Sequence, residues 1–169
     1  MSDAQPSFTC PYCGTTHAGF PKDYGYTLPD HVWAIPQEER ASRAHFTSDL
    51  CRCGDRYFVR CLLKVPFTDS NDYFRWGLWV EVAWSVFERY LALYNKDASD
   101  EPPHAATIAN QVPLHPDALG ATVLIWFGPS KDRPTIAFPS GATSTLAAEQ
   151  QRGIDAVRYH EILAAVGAI

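Results

Sequence analysis

An α+β fold, an antiparallel sheet packed by helices with a zinc-knuckle (zinc-ribbon-like) lobe at its N-terminus, is what three features of this 169-residue chain point to. Two consecutive stretches alternate apolar and polar residues strictly, the period of half-buried strands. The C-terminal third carries apolar residues at helical spacing. Ahead of both stand two short cysteine pairs, Cys10-Pro11-Tyr12-Cys13-Gly14 and Cys51-Arg52-Cys53-Gly54. A chain that is 46% hydrophobic and 13% aromatic at this length holds one well-buried core and is short for two independent domains. Residues 1–169 therefore read as a single domain, with 8–54 as the cysteine-bearing lobe and 55–169 as the α+β core.

Between the cysteine pairs, Pro36 followed by Gln37-Glu38-Glu39-Arg40 opens a short helix, because proline is tolerated in the first turn, where no N–H is needed. From Arg56 the pattern becomes a strand: Tyr57, Val59, Cys61, Leu63 and Val65 share one face, and Arg56, Arg60 and Lys64 take the other. A polar turn from Thr68 to Asp72 leads to a second strand, in which Phe74, Trp76, Leu78, Val80 and Val82 alternate against Arg75, Gly77, Trp79 and Glu81. The two strands pair antiparallel.

Ser85 and Glu88 have the spacing of a capping box, so a helix of about three turns is expected to begin there, with Phe87, Tyr90, Leu91 and Tyr94 on its buried side. Asn95 to Pro103 reads as a charged loop and His104 to Val112 as a short helix closed by Pro113. Thr122 to Phe127 and Pro134 to Phe138 form a second hairpin, the proline placing the last strand near an edge. Thr145 to Arg152 is a helix stopped by Gly153, and Asp155 caps a final helix bearing Ala156, Tyr159, Leu163 and Val166 on one stripe.

The net charge of -5, from 14 basic and 19 acidic residues mixed along the chain, includes no basic block that would neutralise phosphates, which argues against nucleic acid as a partner. The N-terminus has neither the cationic start nor the apolar run of a secretory signal, and no segment reaches membrane-spanning length, so the expectation is a cytoplasmic protein without membrane contact. In a reducing compartment five cysteines read as ligands or core residues rather than as a disulfide framework.

Zinc is bound tetrahedrally by soft, deprotonated ligands, and two glycine-terminated turns bearing two cysteines each match that need, with Cys10, Cys13, Cys51 and Cys53 as the ligand set. His17 competes for the fourth position. A site closed by four thiolates leaves no coordination position for water, so the zinc would be structural. A glutaredoxin-type dithiol at Cys10 and Cys13, or cysteines without any ligand, are the alternatives. Cys61 lies on the apolar face of its strand and reads as core.

Histidines 31, 45, 104, 115 and 160 occur in no HExxH-like context, and neither a GxSxG motif nor a phosphate-binding glycine loop is present, so no residue is assigned a catalytic role. Three residues are binding candidates. Trp79 and Arg60 lie on the face of the hairpin opposite the core, where covering by the C-terminal helices competes with a recognition role for Trp79. Glu149 would act as a general base if His160 or Asp155 came close, against its plainer reading as a helix-surface residue. Asp49, beside Cys51, is placed to accept hydrogen bonds from the cysteine turn.

The run CPYCGTTHAGFP, then SDLCRCGDRYFVR, FRWGLWVEV, RPTIAF and LAAEQQRGI, resembles the bacterial family called domain of unknown function 2199 over nearly the whole chain. The resemblance implies a small, single-domain, cytoplasmic bacterial protein, without implying an activity. It points to Cys10, Cys13, His17, Asp49, Cys51, Arg60, Gly77, Trp79, Pro134, Glu149, Gln150 and Gly153. Cys53 departs from the family pattern, which implies His17 as an alternative fourth ligand or a site without metal. The function expected is that of a zinc-stabilised, non-enzymatic binding or regulatory module for a protein partner. The alternative is an enzyme, either a hydrolase using Glu149 with a histidine or a thiol oxidoreductase using Cys10 and Cys13.

Overall fold

The computed structural model describes residues 20–169, preceded by the backbone of two short strands, β1 (Ser7–Thr9) and β2 (Thr16–Ala18), which pair antiparallel. There follow β3 (Asp23–Gly25), α1 (Asp30–Trp33), α2 (Gln37–Arg43), β4 (His45–Phe46) and β5 (Leu50–Cys53). The predicted hairpin is β6 (Arg56–Pro66) and β7 (Tyr73–Val82), and α3 (Trp84–Leu93) comes next. The rest of the chain supplies β8 (His104–Ile108), β9 (Thr122–Trp126), β10 (Thr135–Ala137), α4 (Thr145–Arg152) and α5 (Ala156–Ala165).

Strands β6 to β10 form a meander that closes on itself as a five-stranded barrel. Each step from β6 to β10 is antiparallel, so the first and fifth strands run in the same direction. The closing pair, Thr135 with Leu62 and Ile136 with Leu63, is therefore parallel. A second parallel pairing joins β3 to the first half of β7, Asp23 facing Arg75 and Gly25 facing Gly77. The expected antiparallel sheet packed by helices is thus mixed at these two edges.

Both long strands are shared along their length. β6 pairs with β5 through its first half and with β10 further on, while β7 pairs with β3 first and β8 last. From β3 onward the segment 8–54 thereby adds three strands to the same sheet as the core.

The alternation puts Val59, Cys61, Leu63 and Val65 of β6, and Phe74, Trp76, Leu78 and Val80 of β7, fully inside the barrel. Leu146 of α4 with Ile162 and Leu163 of α5 join the same core, as the helical stripe of the C-terminus predicts. A second, smaller cluster lies on the outer face of the hairpin, where Phe58 and Trp79 are covered by Leu28, Val32, Ala44 and Ala109.

Two local expectations are corrected. The helix α3 begins at Trp84 with Ala83 as its cap and no side-chain hydrogen bond there, so Ser85 sits inside the first turn and closes no capping box. Its start is set instead by packing, since the Trp84 ring lies 5.0 Å from that of Tyr57 on β6. The segment at His104 is a strand rather than a helix. Ala106 and Ile108 alternate into the core while the backbone pairs with β7 on one side and β9 on the other, so tertiary pairing overrides the helical preference of Ala105 and Ala106.

The C-terminal reading holds at the Asp155 cap, and the structure adds Ser144 as the cap of α4. Ser144 Oγ accepts from Ala147 N at 3.1 Å, and Asp155 Oδ1 accepts from Arg158 N at 2.8 Å. Gly153 ends α4 at φ 86°, and a Cβ on it would lie 2.8 Å from the Pro66 carbonyl oxygen, so only glycine fits both the backbone and the space.

Candidate functional site

Cys51 and Cys53 are two apart on β5 and so project to one face of the sheet. Cys51 is buried in the outer cluster beside Phe58, Val32 and Ala44, and its thiol is pushed up to about 12 by burial first and by the neighbouring Cys53 second. Cys53 is half-buried and donates to the Arg43 carbonyl at 3.6 Å. Cys10 and Cys13 lie outside the described residues, and of His17 only the backbone pairing with Phe8 is described. Among the described residues no three of His, Cys, Asp and Glu gather as a metal-binding group. Cys61 is core, as expected, with its thiol donating to the Leu78 carbonyl at 3.2 Å and its pKa raised by burial.

Trp79 is fully buried, which agrees with its covered reading and leaves no exposed ring for a recognition role. The cover comes from the N-terminal segment and from Ala109, not from the C-terminal helices. Its indole N–H donates to the Tyr26 carbonyl at 2.9 Å, and its backbone N–H donates to Asn110 Oδ1 at 2.8 Å. Asn110 is also buried and donates to the Leu28 carbonyl and to Asp30 Oδ1, both at 3.0 Å. A large ring on a sheet face with every polar group satisfied works as a pin between layers.

Arg60 and Asp49 are joined through the backbone, Arg60 N donating to Asp49 O at 2.9 Å, and the Asp49 carboxylate pairs instead with Arg133, which sequence reading missed. Arg60 Nη1 donates to the Ser48 carbonyl at 3.3 Å, and Arg133 Nε donates to Asp49 Oδ1 at 3.4 Å. The Asp49 carboxylate does not serve the cysteine turn as expected. Its Oδ2 accepts from the Tyr94 hydroxyl at 3.0 Å and from Ser48 at 3.3 Å.

Glu149 has a histidine partner, but neither of the groups expected from its own end of the chain. His115, 34 positions earlier in the loop between β8 and β9, places Nε2 2.5 Å from Glu149 Oε2. Its Nδ1 lies 2.7 Å from the Pro113 carbonyl, which only accepts, so Nδ1 carries a hydrogen and one further proton is shared between Nε2 and the carboxylate. Arg158 Nε donates to Glu149 Oε1 at 2.5 Å, and Arg158 Nη1 donates to Glu161 at 2.9 Å.

Burial pushes the Glu149 carboxyl up, but the hydrogen bonds and charges of His115 and Arg158 outweigh it and hold the group below the usual carboxylate range. The His115 side chain is 0% and the Glu149 side chain 12% exposed. A tight turn aims the histidine inward: His115 N donates to Val112 O at 3.0 Å, with Pro113 at the first corner and Leu114 at φ 67° at the second. A cavity of about 310 Å³ beside this turn is lined by Val112, Leu114 and His115, and Glu149 is not among its lining residues.

The broader open surfaces flank the first half of α3. One is a groove of about 500 Å³ floored by Leu50, Cys51 and Phe87 and walled by Ala41, Ala44 and Phe46. The other, about 810 Å³, runs past Tyr57, Trp84 and Ala106. Phe46 and Trp84 are 45% and 49% exposed, and β4 ends the sheet with no further strand on its outer edge among the described residues.

The family described as uncharacterized protein conserved in bacteria, DUF2199, matches residues 9–154. The chain belongs to this family. No curated protein and no solved structure matches it. The roles of residues in this DUF2199 protein therefore rest on its own geometry. Among its described residues no helix is long and apolar enough to cross a membrane. Its family match spans Asp49, Arg60 and Arg133 on the outer face as well as the His115–Glu149 pair at the barrel end.

Proposed function

We propose that this DUF2199 domain is a non-enzymatic binding module that takes an extended segment of a protein partner along the groove beside β4. The observation that carries the reading is the coincidence of a strand edge unpaired among the described residues with an apolar trough: the outer edge of β4 meets no described strand, and Leu50, Phe87 and Phe46 offer contacts for alternate side chains. A peptide added to such an edge gains main-chain hydrogen bonds, and the trough supplies selectivity. Arg52, on the groove's rim, favours a segment with an acidic residue. A reducing cytoplasm suits the three thiols Cys51, Cys53 and Cys61.

Selection of peptides from a random display library against the full chain tests this. Enriched peptides are expected to alternate apolar residues and to lose about tenfold in affinity against Phe46→Glu. Failure to enrich any sequence, or equal binding by Phe46→Glu, removes the reading.

Structural zinc on Cys10, Cys13, Cys51 and Cys53 belongs to the same proposal. Two thiols on one face of β5 supply half of the set, and the ion would displace the proton that burial holds on Cys51. Elemental analysis of protein purified without added metal is expected to find one zinc per chain, lost in Cys51→Ser. Retention of zinc in Cys53→Ser would assign the fourth position to His17, and metal far below one equivalent would end the proposal.

The hydrolase reading on Glu149 with a histidine draws on one specific observation, the His115–Glu149 hydrogen bond. It requires the Leu114 turn to open so that substrate reaches a pair that is buried in this state. An ester-substrate panel scored with wild type and Glu149→Gln decides it, since activity must vanish in the variant. The thiol oxidoreductase reading falls on Cys10 and Cys13 and predicts a reducible disulfide between them in the isolated protein.

A further inference from the structure

Arg60 on the outer face of β6 and Arg133 in the loop before β10 carry guanidinium groups with little to bond to. Arg60 uses one donor, the 3.3 Å bond from Nη1 to Ser48 O, and its Nε is buried without a hydrogen-bond partner. Its Nη2 rests over Gly25, where an added Cβ would come within 3.1 Å of it, so the absence of a side chain there makes room for the guanidinium. Arg133 reaches the adjacent residue through a single long bond, 3.4 Å, to Asp49. That carboxylate is already engaged by the Tyr94 hydroxyl and Ser48.

Two cations against one carboxylate leave one positive charge, and in the recess at Asp49 and Arg133, which Arg60 does not itself line, Lys131 and Asp132 cancel each other. Burial first, then the nearby Arg133 charge, lower the pKa of Arg60, the direction expected of a cation short of counter-charge. Buried donors without partners are rare in folded proteins and cost free energy until something accepts from them.

We propose that Arg60 and Arg133 together bind an oxyanion, a carboxylate or phosphate group. The planar fork of arginine matches both chemistries bidentately, which a lysine pair would not. The recess beside Asp49, Tyr94 and Arg133 has a volume of about 160 Å³. That is room for roughly five waters at about 30 Å³ each, which suits a single anionic group and falls below the size of an ordinary small-molecule pocket. The Tyr94 hydroxyl, now bonded to Asp49, stands at the same recess as a further donor.

The test titrates the full chain with sodium phosphate and, separately, sodium acetate, each against sodium chloride at equal ionic strength. Arginine side-chain NMR signals and Tm are the readouts. Saturable shifts at Arg60 and Arg133 with a rise in Tm are expected, weakened about tenfold or more in Arg133→Gln, whose side chain is exposed enough to be replaced without unfolding the protein. Arg60→Lys, which keeps the charge and loses the fork, is expected to weaken binding as well. Arg152→Gln, on exposed α4 surface, is expected to leave it unchanged. Response to phosphate alone assigns a phosphate group, and response to acetate assigns a carboxylate. If neither anion outdoes chloride, or if Arg133→Gln binds as wild type does, the site does not exist.

Discussion

Glu149 is gripped from both sides, by His115 at one oxygen and Arg158 at the other, and its side chain is nearly enclosed. Replacing it with glutamine leaves Arg158 with the half-exposed Glu161 as its one carboxylate and weakens the tie to the β8–β9 loop, so Glu149→Gln is expected to cost about 2 kcal/mol by urea denaturation. The pH dependence has a definite sign. The folded carboxyl titrates below the unfolded one, so its stabilisation is complete above about pH 4.3, the unfolded value, and is lost as pH falls through the folded value. Glu101, held at about 2 chiefly by its Arg89 hydrogen bond, acts in the same direction and carries the decline further into acid. The urea midpoint of wild type should therefore fall from pH 5 toward pH 3 more steeply than that of Glu149→Gln. At this scale the sequence made Glu149 visible and its partner invisible. His160 and Asp155 were candidates by proximity in the chain, whereas His115 arrives through a turn whose Leu114 carries a positive φ that no sequence pattern signals.

Elements were legible where one face alone decides the pattern. In β6 and β7 a slip of one residue would expose the entire apolar set, so alternation marks the register unambiguously. β8 lacked that mark because Ala105 and Ala106 contribute little contrast, and only pairing with β7 and β9 makes the segment extended. Glycine at the end of α4 was legible as a stop, and the structure adds a second constraint from the Pro66 carbonyl. Gly153→Ala meets both the positive φ and the 2.8 Å approach, and it is expected to cost about 2 kcal/mol or more, read as a drop in Tm of roughly 4–8 °C. An unchanged Tm would mean that the α4–α5 junction relaxes without resistance.

At the scale of the molecule, the N-terminal segment and the barrel share one sheet, and Trp79 is where they lock together. Trp79→Ala is expected to destabilise by about 3–5 kcal/mol, through a large cavity and the Tyr26 carbonyl left without the indole donor, and to lower Tm by roughly 10 °C. A contact residue would instead leave stability alone and change only binding. Mixed pairing and barrel closure were not legible, because both depend on strands far apart in the chain.

The parallel join between β6 and β10 is only two residue pairs long, supported by the Leu62 N–H bonded to Pro134 O at 2.9 Å. The ten-pair ladder of β6 and β7 does not depend on it. The cylinder can accordingly unbutton along one short line into a curled ribbon while its longest hairpin stays intact, at far less than the cost of complete unfolding. Hydrogen exchange by mass spectrometry should catch this, with peptides spanning 134–137 labelling well before those covering 74–80. Simultaneous labelling of the two would mean that the line holds until everything else gives way.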